Sequence, residues 1–306
     1  MAINKLKKII KKYFENQDVN ESLVIVAGPT GIGKSYFAIK LALEINGVII
    51  NADSIQVYKN IEIMSSQPNK NDLTKVDHFL YGFKSINEHY SVGDWLHSLN
   101  HVLKYIKSKK KIPILVGGTG MYIDAAINGL SDIPAIEEDI KLKTNIMFET
   151  LGVKKFREIV GEIDPVYYSQ NKDKQRLIRA YNVFISTGKS LTDWHKSKSN
   201  QGINRKTFSI LLNKERKENY KNCDSRFETF IKTGGLDEVR RFWEKKIDRS
   251  LSSAKALGIK WFLEFYDGKI SLKNAMEYSK RDTRRYVKRQ NTWFKNNFVP
   301  NIKIYL

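Results

Sequence analysis

The chain has 306 residues, 41% hydrophobic and 28% charged, which suffices for an ordinary core and excludes a disordered polymer. Its formal net charge of +20 favours a polyanionic partner, nucleic acid first and an acidic membrane surface second, over a merely solvated lysine-rich surface. The single cysteine, Cys223, excludes an intrachain disulfide framework and a cysteine-based zinc finger and fits a reducing cytosol. No run approaches the roughly 18 apolar residues that span a bilayer.

At about 150 residues per domain, the length predicts one large domain or two smaller ones. In residues 1–14, Leu6, Ile9, Ile10, Tyr13 and Phe14 recur at helical spacing among lysines. That pattern predicts a short helix packed on the core rather than a secretory signal or a membrane-surface helix. Residues 23–27 form an apolar run ending in a glycine-rich turn, 35–45 have helical periodicity, and 47–51 make a second strand. Residues 95–107 read as a helix and 112–116 as another buried strand. Strands alternating with helices predict an α/β fold with a parallel sheet covered on both faces.

The pattern changes after Gly129. Pro134 marks a break, 136–161 is charged and helical, and 164–188 is helical with Tyr181, Phe184 and Ile185 on one side. Residues 200–206 are a polar linker, 207–212 one more strand, and the chain from Arg226 onward is mostly helical. The expected architecture is a P-loop nucleotide-fold core built from residues 23–130 and 199–306, the latter including a helical C-terminal part. A helical insertion domain over 131–198 and an extension over 1–22 complete it. The sequence has no internal repeat.

Gly28-Pro29-Thr30-Gly31-Ile32-Gly33-Lys34-Ser35 fits G-x-x-x-x-G-K-[ST]. Such glycines let backbone N–H groups turn inward around phosphate oxygens, and the following helix offers its positive end. Lys34 adds a point charge, and the Ser35 hydroxyl can ligate Mg²⁺ held by the same phosphates. A nucleotide hydrolase of this kind also needs an Asp at the end of an apolar strand. Here the strand at 112–116 runs into Gly117-Gly118-Thr119-Gly120 instead. The expectation is a diphosphate grip without hydrolysis machinery.

Asp53 follows the strand at 47–51. With Thr30 and Thr119 it should lie at the carboxyl edge of the sheet, where ligands gather, as a general base for an incoming nucleophile. Five histidines show no H-E-x-x-H spacing. His97 and His101, four apart on a helix, are assigned to its surface rather than to a metal site.

These segments together resemble the tRNA dimethylallyltransferase family, also called tRNA isopentenyltransferases. The resemblance is carried by 28–35, Asn51-Ala52-Asp53-Ser54-Ile55-Gln56-Val57-Tyr58, 112–122, 173–179, Thr187-Gly188-Lys189, Arg226 with Gly235, Ala256-Leu257-Gly258 and 288–293. It spans roughly residues 23–298. It implies transfer of the dimethylallyl group of dimethylallyl diphosphate to the exocyclic amine of the adenosine next to the anticodon, position 37, with diphosphate leaving. Residues 28–35 would hold that diphosphate. Arg226 would help stabilise its charge, and Asp53, Ser54, Ile55 and Gln56 would line the adenosine pocket with Thr119. The resemblance also implies tRNA contacts at Lys141, Gln175, Arg176, Leu177, Ile178, Arg179, Lys255, Gly258, Lys260, Lys288, Arg289 and Gln290.

Arg281, Arg284, Arg285 and Lys288 would share one helix face with a single nearby acid, Asp282. Unpaired like charges there would favour phosphate contact. Lys141 stands where the family often has Arg, which loses a bidentate fork, and Asp77-His78-Phe79 replaces a common Pro-His-His. Eukaryotic members carry a zinc finger that this chain lacks, which implies the bacterial form. The expected partners are the tRNA anticodon stem-loop and dimethylallyl diphosphate, with Mg²⁺ and no membrane, for a cytoplasmic monomer. The rival readings are an isopentenyltransferase acting on free adenine nucleotides, a P-loop kinase or NTPase, and a non-catalytic RNA-binding module, which would need a silent Asp53. The basic charge and long insertion argue against the first, the missing Asp against the second.

Overall fold

The computed structural model describes residues 3–18, 21–171, 173–197 and 202–306. The chain separates into two compact units. One comprises Met1–Ala126 with Asn204–Leu306, the other Ile127–Ile203.

The first unit runs α1 (Ile3–Tyr13), β1 (Ser22–Ala27), α2 (Lys34–Ile45), β2 (Gly47–Asn51), α3 (Glu62–Ser65), α4 (Lys70–Lys75), β3 (His78–Phe79), α5 (Val92–Lys107), β4 (Ile112–Gly117) and α6 (Gly120–Asn128). The second holds α7 (Glu138–Ile163), α8 (Pro165–Gln170), α9 (Lys174–Thr187) and α10 (Leu191–Lys196). The chain then returns to the first with β5 (Lys206–Asn213), α11 (Arg216–Lys232), α12 (Gly235–Glu244), α13 (Ile259–Tyr266), α14 (Leu272–Asn297) and β6 (Ile302–Tyr305).

The six strands form one sheet in the order β3-β2-β4-β1-β5-β6, and every pairing is parallel. β1 and β2 are buried along their whole length, as expected for strands covered on both faces. α2 packs Phe37, Ala38, Leu41, Ala42 and Ile45 inward and ends on Asn46 in the left-handed conformation. α1 places Leu6 and Ile10 in the same core as Val24, Val26, Phe208 and Ile210. Tyr13 ties its end to the Thr207 carbonyl at 3.0 Å.

Some boundaries differ from the sequence reading. α5 begins at Val92, because Ser91 and Asp94 form a reciprocal capping box ahead of the apolar stripe. α11 begins ten residues before Arg226. β3 and β6 carry no clear periodicity, having only two and four residues. In the second unit, α7 turns at Gly152, whose φ of 72° and ψ of 169° lie outside the helical range.

The expected helix over 164–188 is two helices, each started by an aspartate. Asp164 accepts from Tyr167 N and Asp173 from Arg176 N. The buried face of α9 is Leu177, Ala180 and Val183, packed with Phe148, Phe156 and Val160. Tyr181 and Phe184 are half-buried and Ile185 is exposed, so the expected apolar face is displaced around the helix.

Candidate active site

Register carries three loops to one edge of the sheet. Ala27 of β1 lies beside Gly117 of β4, and Val116 of β4 beside Asn51 of β2. Gly28, Gly118 and Asp53 therefore emerge next to one another at the carboxyl ends of their strands. The approach is close. A Cβ on Gly117 would stand 2.1 Å from the Ala52 carbonyl oxygen, so no larger residue fits.

In the first loop, Gly31 and Gly33 hold φ of 80° and 95°, the left-handed region that glycine adopts without strain. Helix α11 braces this loop. Cys223 donates its S–H to the Thr30 carbonyl at 3.4 Å, and Asn222 Nδ2 donates to the Gly31 carbonyl at 3.3 Å. Among the described residues, the N–H groups of Gly31, Ile32, Gly33, Lys34 and Ser35 donate to no protein acceptor. Lys34 Nζ donates to the Pro29 carbonyl at 2.9 Å. Burial lowers the Lys34 amine to about 8; Asp53 and Cys223 oppose that shift, and Arg226 adds to it. A bound anion would restore its charge.

In the second loop, the buried Asn51 side chain forms the turn. Its Oδ1 accepts from Asp53 N at 2.8 Å, and its Nδ2 donates to the carbonyls of Asp53 and Leu80. Asp53 Oδ1 then accepts from Ile55 N at 2.9 Å, and no protein donor engages its other oxygen among the described residues. In the third loop, Thr119 Oγ1 accepts from Ser54 N at 3.2 Å, linking loops two and three. Arg226 reaches in from α11 and donates to the Met64 carbonyl.

A cavity of about 460 Å³ is lined by Thr30, Asp53, Ser54, Ile55, Thr119, Arg226, Lys255 and Arg289. Met64, Ser65, Tyr90, Tyr122, Ser252 and Tyr286 line it too. Apart from Tyr122, which ends the family-like stretch 112–122, these escaped sequence reasoning, because only the folding of distant segments assembles them. Burial, with Asp53 adding to it, raises the Tyr286 phenol and keeps it protonated. The cavity thus carries the cationic side chains of Arg226, Lys255 and Arg289, one carboxylate and an aromatic wall, and Thr30 marks where the glycine loop borders it. That set can grip a phosphate group, accept a proton and enclose a planar or apolar group.

The family model described as IPP transferase matches residues 56–297. The chain belongs to this family. It is 39% identical over 285 residues to the tRNA dimethylallyltransferase of Ehrlichia canis, covering 93% of this chain and 94% of that one. The Rickettsia conorii tRNA dimethylallyltransferase is 38% identical over 292 residues, with 94% and 80% covered.

Among solved structures, the full-length tRNA isopentenylpyrophosphate transferase from Bacillus halodurans aligns at a TM-score of 0.67 with 30% identity, over 93% of this chain and 90% of that one. A eukaryotic dimethylallyltransferase acting on tRNA aligns at 0.77 with 25% identity, over 90% and 70%.

Several positions expected from the family pattern have structural partners within the chain. Gln290 is 5% exposed, and both ends of its amide are engaged. Its Oε1 accepts from Thr30 N at 2.9 Å and its Nε2 donates to the Gly118 carbonyl at 2.9 Å. It is a strut between the first and third loops, and it occupies one N–H of the glycine loop. Leu177 is fully buried in the second unit, and Ile178, partly buried, packs against the same core. The Ile32 side chain lies in the core of the first unit. Gln56 spends its amide on the carbonyls of Ser65 and Ser66.

Three of the α14 arginines expected to be unpaired have acidic partners. Arg284 bonds Asp224 at 2.6 Å, and Arg281 and Arg285 share Asp282. The sequence reading missed Asp224 because it lies 60 residues away. Lys255, Gly258, Lys260, Arg285 and Arg289 line a second depression of about 670 Å³. Gly258 is buried there with φ of 91°, against Phe227 and Ser279, where a larger side chain would be strained. Lys288 is exposed on α14. Gln175, Arg176 and Arg179 are exposed in the second unit; Arg176 donates to Asn171 Oδ1, and Lys141 pairs with Glu138 at 2.6 Å. His97 and His101 meet through their Nε2 atoms at 2.9 Å on the surface of α5.

Proposed function

We propose that this enzyme moves the dimethylallyl group of dimethylallyl diphosphate onto the exocyclic amine of the adenosine at position 37, next to the anticodon in tRNA. One observation carries the reading: Asp53 stands in the same cavity as Thr30 and Arg226, with one carboxylate oxygen free of donors among the described residues. The N–H groups of residues 31–35, Lys34 and Arg226 would hold the diphosphate. As the allylic carbon–oxygen bond breaks, charge grows on that diphosphate, and these donors stabilise it where it develops. The amine nitrogen forms the new bond to carbon, and its proton passes to Asp53. Thr119 would place the adenosine, unstacked from its loop, against the wall of Tyr90, Tyr122 and Tyr286.

Among the described residues, no three His, Cys, Asp or Glu side chains converge on one point. The exposed Ser35 hydroxyl, beside Lys34 on the first turn of α2, fits a Mg²⁺ whose other ligands are diphosphate oxygens and water. Bound there, Mg²⁺ would neutralise part of the leaving group's charge. The basic residues Lys255, Lys260, Lys288 and Arg289, and in the second unit Lys141, Gln175, Arg176 and Arg179, are proposed to contact the anticodon stem-loop. No described helix is long and apolar enough to cross a membrane. A cytoplasmic monomer fits the single buried cysteine and the RNA substrate.

The test is mass spectrometry of nucleosides from tRNA incubated with the protein and dimethylallyl diphosphate. The expected product is adenosine heavier by one dimethylallyl group in place of a hydrogen. Asp53→Ala should abolish it while tRNA binding persists. Prenylation of AMP with unmodified tRNA left untouched, or full activity in Asp53→Ala, rejects the reading.

A further inference from the structure

Glu238 on α12 is a buried ionisable side chain that the chemistry above does not use. It is 3% exposed, and no lysine or arginine pairs with it among the described residues. A carboxylate so placed is costly unless hydrogen-bonded. Its Oε1 accepts from Ile63 N at 2.9 Å and its Oε2 from Met64 N at 2.8 Å. Two consecutive peptides of the α3 turn are thereby fixed in orientation.

The other side of that turn faces the active site. The Met64 carbonyl accepts from Arg226 Nη2. The carbonyls of Ser65 and Ser66 accept from Gln56 Nε2 at 3.0 and 2.9 Å. Gln56 closes the loop that Asp53 opens. The α3 turn is therefore gripped by Glu238 on one side and grips Arg226 and Gln56 on the other, and Met64 and Ser65 themselves line the cavity.

We propose that Glu238 is a positioning residue for the transfer reaction: through the α3 turn it sets where Arg226 stands in the diphosphate end of the cavity. The proposal rests on Arg226 acting on the diphosphate. Both grips work only with two acceptor oxygens at position 238. A glutamine there keeps one and points an N–H₂ group at the other peptide N–H, so the turn is released at Ile63 or Met64. Arg226 then loses the fixed carbonyl that holds its guanidinium, and misplacement on the ångström scale can cost roughly 100-fold in rate.

The experiment is a double-mutant cycle of Glu238→Gln and Arg226→Ala, read as kcat/KM for dimethylallyl diphosphate, with tRNA affinity and thermal midpoint measured alongside. Expected are a loss of roughly 10- to 100-fold for Glu238→Gln alone and a much smaller further loss in the Arg226→Ala background, with tRNA affinity unchanged. A merely structural role would lower the midpoint and give the same fold-loss in both backgrounds. Additive losses, or wild-type kinetics in Glu238→Gln, overturn the proposal. Wild-type kinetics in Arg226→Ala would instead overturn the reading of Arg226, which separates the two failures. If Glu238→Gln does not fold, Glu238→Asp, which withdraws the carboxylate by one methylene, takes its place in the same cycle.

Discussion

Replacing Gln290 by Leu removes the amide strut and keeps a side chain of similar size. The Thr30 N–H and the Gly118 carbonyl each lose their partner, and Gly118 is buried. A net contribution of about 1 kcal/mol per hydrogen bond gives a floor of about 2 kcal/mol, and leaving the buried carbonyl unpaired adds about 1–2 kcal/mol more. A loss of about 2–4 kcal/mol is a large share of a typical stability of about 5–15 kcal/mol. At roughly 2–4 °C per kcal/mol for a unit of this size, the midpoint should fall by about 5–15 °C.

The first and third loops meet at the diphosphate end, so KM for dimethylallyl diphosphate should rise as well. Urea unfolding at fixed pH, thermal scanning and steady-state kinetics on one preparation test this together. A Gln290→Leu protein within about 0.5 kcal/mol of wild type that has lost tRNA affinity would refute the strut. It would return Gln290 to the RNA surface that the family pattern suggested.

Two further outcomes follow from the site. Lys34 in the free enzyme loses its proton near pH 8, below the ordinary lysine value, because burial disfavours the charged amine. The anion needs the charged form, so kcat/KM for dimethylallyl diphosphate should fall about tenfold per unit above that pH. In Lys34→Arg the fall should vanish, since guanidinium stays charged; a profile unchanged by that substitution would show that another group titrates. On α14, Arg289→Ala should reduce the slope of log affinity for tRNA against log salt by about 0.7–0.9, the share of one phosphate contact. Arg284→Ala should leave that slope alone, because Asp224 already neutralises Arg284; equal effects of the two would argue against the pairing as the reason.

Much of the site could be read from the sequence because its chemistry is local. The glycine loop, Lys34 and Ser35 are consecutive and flanked by a strand and a helix, and strand periodicity predicts that Asp53 and Thr119 share its edge. Local periodicity also marked β1, β2, β4 and β5, since a strand buried on both faces must be continuously apolar. The register that sets Gly28, Gly118 and Asp53 in one row, by contrast, is a property of pairing between segments up to about 90 residues apart. Local pattern therefore does not specify it.

The same holds for roles that depend on a partner. Gln290, Arg284 and Leu177 resemble RNA contacts in a basic stretch, yet become a strut, an internal ion pair and a core residue once Thr30, Asp224 and Phe156 arrive beside them. Composition and motif settled which chemistry the chain can perform, because charge, glycine conformation and side-chain type belong to residues singly. Which of those residues face the cavity, and which hold it in shape, was decided by packing, because burial and hydrogen-bond satisfaction depend on neighbours distant in sequence.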